Sequence, residues 1–439
     1  MTRHYFIATM GCQMNEYDSD YLGQVLQDSE FLHTDDPNEA DLILINTCAV
    51  RAKAEQKAYS LLGRMRSLKK RKPSLILGLV GCMAQQEGDR LIKKFPYLDL
   101  VLGTREVGRI QEVLQGLESN GKKAVATDLE SKIPPPVNRP GYFSGRVKGY
   151  ISIMEGCNNF CSYCIVPYVR GREVSRSPED ILNEAVNLVS QGIKEITLLG
   201  QNVNSYCSGE KERVRFPHLL RRLNNLDDLL RIRFTTSHPK DLSDELIQCF
   251  DELDKLCPHI HLPVQAGSNR ILALMNRGYT RETYIELIAN LRDVRPEMSI
   301  TSDIIVGFPG ESDADFQMTL DLLRKIEFDN TFSFKYSDRK GTIAEKMTGK
   351  VDDKTKSDRL SRLQVLQKDI TLEKNKRLEG EEVAILVDGH SRKGGQLTGR
   401  TGTNKIVNFN CNNEIISSIV KVKIKHSFVN SLRGELLTR

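Results

Sequence analysis

Along the first 375 residues or so, short apolar and β-branched runs alternate with stretches whose apolar positions recur every three or four residues, and beyond them the period drops to two. In the first part, His4 to Met10, Asp41 to Thr47 and Leu75 to Val80 read as strands, separated by helical patterns over Glu16 to Asp28 and Glu55 to Leu68. That alternation predicts a parallel sheet with helices on its faces, in a domain from Arg3 to Gly121. The run I-P-P-P-V-N-R-P-G, Ile133 to Gly141, is too rich in proline for helix or sheet and reads as an extended linker.

Alternation then resumes in a central unit, residues 142–372. Candidate strands are Tyr150 to Glu155, Glu195 to Gly200, Arg231 to Thr236, His259 to Val264, Ile300 to Val306 and Thr331 to Tyr336. Between them, helices start well at Ser177-Pro178, Ser243 and Thr280. Six β/α units of this size imply a (β/α)6 barrel or partial barrel, with its chemistry at the carboxyl ends of the strands. A charged helical stretch, Lys354 to Arg377, leads out of it. The last unit, residues 376–439, carries the alternating runs E-V-A-I-L-V-D-G, T-G-R-T-G-T-N-K-I-V-N-F-N and I-V-K-V-K-I-K-H-S-F, broken by Gly and Asn turns. A small antiparallel β-barrel is expected, of a kind that often carries oligonucleotides. The fold class is thus α/β in the first two units and all-β in the third.

Charge sharpens the third unit. The chain's net charge is +5, and from Lys376 onward 11 Lys or Arg face 6 Asp or Glu, so the surplus is C-terminal. Lys421, Lys423 and Lys425 alternate and project to one face; with Arg400 and Lys405 they are candidate phosphate contacts, although a merely solvated surface gives the same count. No apolar run is long enough for a membrane helix and the opening residues lack a signal-peptide design, so a cytoplasmic protein is expected. Its 10 cysteines then serve metal binding or burial rather than disulfides.

Two groups of cysteines stand out. Cys157, Cys161 and Cys164 follow the first strand of the central unit at spacings of four and three residues. They suit a soft metal centre: a zinc site completed from elsewhere, or an iron-sulfur cube whose fourth iron stays open for chemistry. Cys12, Cys48 and Cys82 each follow a strand of the first unit, so a parallel sheet brings them to one edge as a second three-cysteine site. Gly11 and Gly81 let the backbone turn sharply there. Cys207, Cys249, Cys257 and Cys411 lack partners at metal spacing and read as bystanders.

C-x-x-x-C-x-x-C resembles the signature of the radical S-adenosylmethionine (SAM) enzymes. The resemblance implies a cluster whose open iron chelates SAM and whose electron cleaves it to a 5'-deoxyadenosyl radical. Residues just past the other strands, Gly200, Gln201 and Asn202, Ser237 and His238, Gln265, and Asp303 with the G-F-P-G turn at Gly307 to Gly310, are then candidate SAM contacts. His259 and His261 share one side of their strand and read as barrel lining rather than ligands.

The whole arrangement resembles the methylthiotransferase family, which ends in a TRAM module. The runs T-M-G-C-Q-M-N-E-Y-D-S, N-T-C-A-V-R, M-E-G-C-N-N-F-C-S-Y-C-I-V-P-Y-V-R-G-R-E-V-S-R and N-S-L-R-G-E-L carry the likeness. It implies two 4Fe-4S clusters, an auxiliary one on Cys12, Cys48 and Cys82 and a SAM-cleaving one on Cys157, Cys161 and Cys164. It implies two SAM per turnover, one to methylate a sulfur and one to take hydrogen from C2 of a tRNA adenosine beside the anticodon that carries an isopentenyl group on N6. A methylthio group replaces that hydrogen. Implied partners are the tRNA, an electron donor and a sulfur donor, with no membrane, and a monomer is expected. Relatives of the same architecture act on threonylcarbamoyl-adenosine tRNA or a ribosomal protein aspartate, and a non-catalytic RNA-binding iron-sulfur sensor stands as the reading from another class.

Overall fold

In the computed structural model, which describes residues 2–49, 52–130, 133–209, 213–391, 394–411 and 415–437, the first part of the chain is built on one six-stranded sheet. Its strands are β1 (Arg3–Met10), β2 (Phe31–His33), β3 (Leu42–Thr47), β4 (Ile76–Val80), β5 (Leu100–Leu102) and β6 (Ala124–Ala126). All pairs are parallel, in the order β2-β1-β3-β4-β5-β6. Every residue of β3 is buried, as a strand covered by helices on both faces must be. The order reverses at β1 and β3, which makes the crevice beyond their carboxyl ends the binding position of this topology. Val50 and Arg51 of the N-T-C-A-V-R run lie outside the described residues, as do the last two residues of the chain.

The sheet runs past Gly121, where the sequence pattern ends the domain. A strand of three small residues, Ala124–Ala126, is too short to register as a pattern yet pairs along β5. The proline run that follows lies on this domain: Val137 packs on its core and the backbone N–H of Arg139 donates to Gln24.

The central unit has six parallel core strands: Lys148–Ser152, Glu195–Leu199, Arg231–Phe234, His259–His261, Ser299–Val306 and Asn330–Lys335. They pair as two triplets in chain order, and the triplets meet where the N–H of Ser237 donates to the carbonyl of His261. Among the described residues the first and sixth strands are not paired to each other, so the barrel is partial. Ser177, Ser243 and Thr280 cap the outer helices, accepting from the N–H groups of Asp180, Leu246 and Thr283. Ile151, Ile196, Leu198, Ile232, Phe234, Ile260, Ile300 and Ile304 bury the outer face of the strands against those helices. The alternate positions, among them Glu195, Thr197, Arg231, Arg233, His259, His261 and Asp303, line the concave face.

A closed five-stranded barrel ends the chain: Glu382–His390, Leu397–Thr401, Ile406–Asn410, Ile419–Ser427 and Leu432–Leu436. The run from Thr398 to Asn410 is two strands joined at Gly402 to Lys405, and the last strand pairs parallel to Ile406–Asn410 within an otherwise antiparallel barrel. Arg231 reaches from the start of the third core strand to the carbonyl of Arg400 at 2.5 Å, and Arg233 to those of Thr401 and Gly402 at 2.7 and 2.9 Å. The small barrel therefore closes the amino-terminal end of the core.

This docking gives Arg400 and Lys405, the expected phosphate contacts, partners within the protein. Arg400 is half-buried and donates to Asn404 within its own hairpin. Lys405 spends its ammonium on Asp329 at 3.0 Å and Asn375 at 2.9 Å. A cation's spacing along a strand says nothing of the carboxylate a neighbouring domain offers. Burial alone would raise the Asp329 carboxyl, but Lys405 and Lys374 outweigh it and hold it below the usual range. That contribution is complete above the unfolded-state carboxylate pKa and fades as pH falls below it. Lys405→Ala is expected to loosen the barrel by about 1–3 kcal/mol. Limited trypsin cleavage just before the barrel checks this: faster release is expected, and an unchanged rate contradicts the docking role.

Candidate functional site

The first thiol triad is assembled by the switch point of the N-terminal sheet. Cys12 follows β1 and caps the helix Gln13–Asp28, Cys48 follows β3, and Cys82 opens the helix Cys82–Glu87. Their loops approach closely, since a Cβ on Gly11 would stand 2.9 Å from that of Cys48. Gly81, at φ +91°, takes a left-handed turn before Cys82, where a Cβ would stand 3.0 Å from the Thr47 carbonyl oxygen. Buried Asn15 and Asn46 tie the loops: Asn15 donates to the Asn46 amide oxygen and Asn46 to the Asn15 carbonyl, both at 2.9 Å.

The thiols sit in opposed environments. A hydrogen bond from Cys48 draws the Cys12 thiol down to about 6, against burial and helped by Arg170. Burial pushes Cys82 up, with Arg170 again pulling the other way. Arg170 is buried, donates to Asp18 at 2.6 Å and lies 3.8 Å from Glu155. Burial pushes the Glu155 carboxyl to about 7 despite Arg170.

The second triad occupies the loop after the first core strand. Burial raises the Cys157 thiol, and burial with the neighbouring Cys161 raises Cys164 to about 12. Buried Arg277 donates to the Cys161 sulfur at 3.2 Å, held by donations to the Pro263 carbonyl at 2.7 Å and the Tyr279 hydroxyl at 3.0 Å. That contact sets a fixed positive charge beside one sulfur of the triad.

The two triads are neighbours. The helix Val166–Val169 begins two residues after Cys164, and Ile165 and Val169 pack on Ala49 and Cys82 of the first site. Thr104 of the N-terminal domain donates to the Val169 carbonyl at 2.8 Å, fixing the helix from the other side.

The expected SAM contacts gather at the carboxyl ends of the core strands. Gln201 accepts from the Gly156 N–H at 2.5 Å, beside Cys157. Its amide nitrogen, Asn202 Oδ1, Ser237 Oγ and His238 Nε2 are buried without a hydrogen-bond partner. Four such atoms at one end of one barrel call for a polar guest, because an unpaired buried polar group is costly. Burial holds His238 down to about 2, leaving a neutral imidazole. A Cβ on Gly200 would stand 2.6 Å from Met154. Gln265 takes φ +73° and exchanges backbone hydrogen bonds with Asp303 and Ile305 at 2.9 Å. Asp303 instead faces His261 at 3.5 Å on the concave surface. His259 is buried, with its imidazole held down to about 3 by burial.

Cys249 and Cys257 are core residues, Cys207 is exposed and Cys411 half-buried. Among the described residues, no group of His, Cys, Asp and Glu has the geometry of a single-ion site. A multinuclear cluster is a larger guest, and the two loop-borne thiol triads with their cationic neighbours fit one apiece. Arg277 and Arg170 escape a reading of the sequence. Arg170 leaves a trace, a lone charge closing the apolar run I-V-P-Y-V, whereas Arg277 is an ordinary turn arginine until the fold carries it to Cys161.

Three family models match the chain: the uncharacterized protein family UPF0004 over residues 4–103, the radical SAM superfamily over 151–323 and the TRAM domain over 376–437. Among curated proteins, the chain is similar to the tRNA-2-methylthio-N(6)-dimethylallyladenosine synthase of Syntrophus aciditrophicus, 52% identical over 99% of this chain and 95% of that one. The protein of the same name from Geobacter metallireducens is 50% identical over 98% of each. Among solved structures, a radical SAM methyltransferase of Kitasatospora setae, TsrM, matches 79% of this chain and 74% of its own with a TM-score of 0.56 at 16% identity. The cobalamin-dependent radical enzyme OxsB matches 83% and 56% with a TM-score of 0.53 at 12% identity. Both share the fold.

Proposed function

The chain belongs to the tRNA methylthiotransferases of the radical SAM superfamily, and we propose on that ground that it converts N6-isopentenyladenosine, next to the tRNA anticodon, to its 2-methylthio derivative. The observation that carries this reading is the contact between the sites: Cys82 of one triad packs on Ile165 and Val169, which directly follow the other. An enzyme that joins a sulfur to a carbon activated elsewhere needs its two centres side by side.

Cys157, Cys161 and Cys164 hold one 4Fe-4S cluster, and Cys12, Cys48 and Cys82 the other. When bound, the clusters would relay the electron and hold the sulfur that the two donors provide, and SAM would supply the methyl group and the hydrogen-abstracting radical. The chain's own residues do the positioning. Arg277 anchors Cys161, and Arg170 sets positive charge beside Cys12 and Cys82. The unpaired atoms of Gln201, Ser237 and their neighbours orient SAM, with Gly200 and Gln265 completing its surroundings. The enzyme works as a monomer with an electron donor and a sulfur donor. No helix of the described residues is long and apolar enough to cross a membrane.

Lys421, Lys423 and Lys425 are exposed on one face of the strand Ile419–Ser427 and take tRNA phosphates, Lys425 exchanging its Glu435 partner at 2.9 Å for them. Replacing all three with alanine is expected to weaken binding of every tRNA alike and to reduce the slope of log K against log salt by about one for each phosphate released. An unchanged slope contradicts the assignment. The reading as a whole is tested by adding SAM to the reduced protein and recording its electron paramagnetic resonance spectrum. A changed cluster signal is expected, and a sensor whose irons are all ligated by protein would give none.

A further inference from the structure

The sixth core strand has its alternation inverted. Thr331 and Ser333 are half-buried, while Phe332 and Phe334 stand 47% and 40% exposed. Its register pairs Phe332 with Asp303 and Phe334 with Ile305, which puts both rings on the concave face. There the Phe332 ring meets that of His261 edge-on at 5.8 Å, and His261 Nδ1 lies 3.1 Å from Thr301 Oγ1. Ile305, paired with Phe334, continues this apolar strip, and farther round the face are the charged or polar Glu195, Thr197, Arg231 and Arg233. The strand is also the sheet's edge among the described residues, and beside it runs a groove of about 280 Å³ lined by the strand, Gln364, Lys368, Thr371 and Val429. An aromatic wall thus stands at the lateral mouth of a polar cavity.

An edge strand gains nothing by showing phenylalanines to water, and proteins ordinarily blunt such edges with polar side chains. Two rings one strand repeat apart offer what an unstacked base seeks, a flat apolar surface. An adenine bearing a branched five-carbon chain needs that surface twice, once for its ring and once for the alkyl group. We infer that Phe332 and Phe334 receive the isopentenylated adenine as it leaves the anticodon loop, and that they are the residues by which this chain tells a prenylated from an unprenylated tRNA. The inference rests on the substrate reading above and adds the place where the alkyl group is read. His261 and Asp303, beside the wall, supply the polar contacts a purine edge requires.

The test uses the reconstituted enzyme and fluorescent anticodon stem-loops carrying adenosine or N6-isopentenyladenosine. Wild type is expected to prefer the prenylated loop. Phe332→Ala with Phe334→Ala is expected to weaken binding of that loop by about 5- to 150-fold, the range for lost base stacking, and to weaken the unmodified loop by less, so that the preference shrinks. An undiminished preference in the double variant overturns the inference. Because an alanine variant can fail to fold, wild type is also photo-crosslinked to a loop whose alkyl chain carries a diazirine. Label on the peptide from Asn330 to Tyr336 supports the wall, and label confined to other peptides overturns it. Wild type that forms the methylthio nucleoside while its crosslinks fall elsewhere refutes the wall alone. Wild type that neither prefers the prenylated loop nor forms that nucleoside refutes the substrate reading and the wall together.

Discussion

Cys161→Ala is expected to abolish SAM cleavage and tRNA modification together, each by more than about 100-fold, the upper cost of losing a mere outer-shell partner of a metal site. Cys161 is the middle ligand of a loop with no spare thiol: Cys207 is exposed on another element, and Cys249 and Cys257 are locked in the core. The substitution also strands Arg277, whose buried guanidinium loses the sulfur 3.2 Å away and remains charged among Tyr163, Tyr279 and the Pro263 carbonyl. A buried cation without its counter-charge is destabilising, so the loop itself should loosen. Iron analysis and chromatography of 5'-deoxyadenosine after anaerobic reconstitution read the outcome. Cleavage retained at wild-type rate would mean that the cluster is held by other residues.

The companion substitution, Cys48→Ala, is expected to separate the two activities. Cys48 is buried at the end of β3, and its thiol makes the hydrogen bond that draws Cys12 down to about 6. Losing it removes one of three ligands of the auxiliary site while leaving the core strands, Arg277 and the Cys157 loop untouched. Iron should fall by about half, SAM cleavage should persist, and the methylthio nucleoside should fall below about a hundredth of the wild-type yield. Loss of SAM cleavage as well would mean that the contact through Ile165 and Val169 makes the two centres one folding unit. Unimpaired product would remove the N-terminal triad from the reaction.

The placing of the two triads is legible because Cys12, Cys48, Cys82 and Cys157 stand where a period breaks, shortly after a strand run, with Cys161 and Cys164 spaced closely behind Cys157. The same logic places the core strands, whose sequence-derived bounds differ from the observed ones by a few residues at their ends, as at His259–His261. What escapes depends on contacts between distant segments. Ala124–Ala126 is a strand only because β5 offers an edge. Lys405 looks like any strand lysine until Asp329 and Asn375 meet it across the domain boundary. Asp303 fits a strand-end ligand by position, yet parallel register turns it toward His261 and Phe332. Phe332 and Phe334 read as ordinary alternating core in T-F-S-F-K; only the fold shows that their side of the strand faces the open mouth.

The conversion itself is open to a single assay. The reconstituted protein is incubated without oxygen with SAM, a strong reductant and isopentenylated tRNA, and the tRNA is then digested and its nucleosides weighed by mass spectrometry. Wild type is expected to yield 2-methylthio-N6-isopentenyladenosine, and Cys48→Ala and Cys161→Ala none. Abundant 5'-deoxyadenosine with no trace of that nucleoside would contradict the proposed reaction, leaving the radical core in place and the substrate wrong.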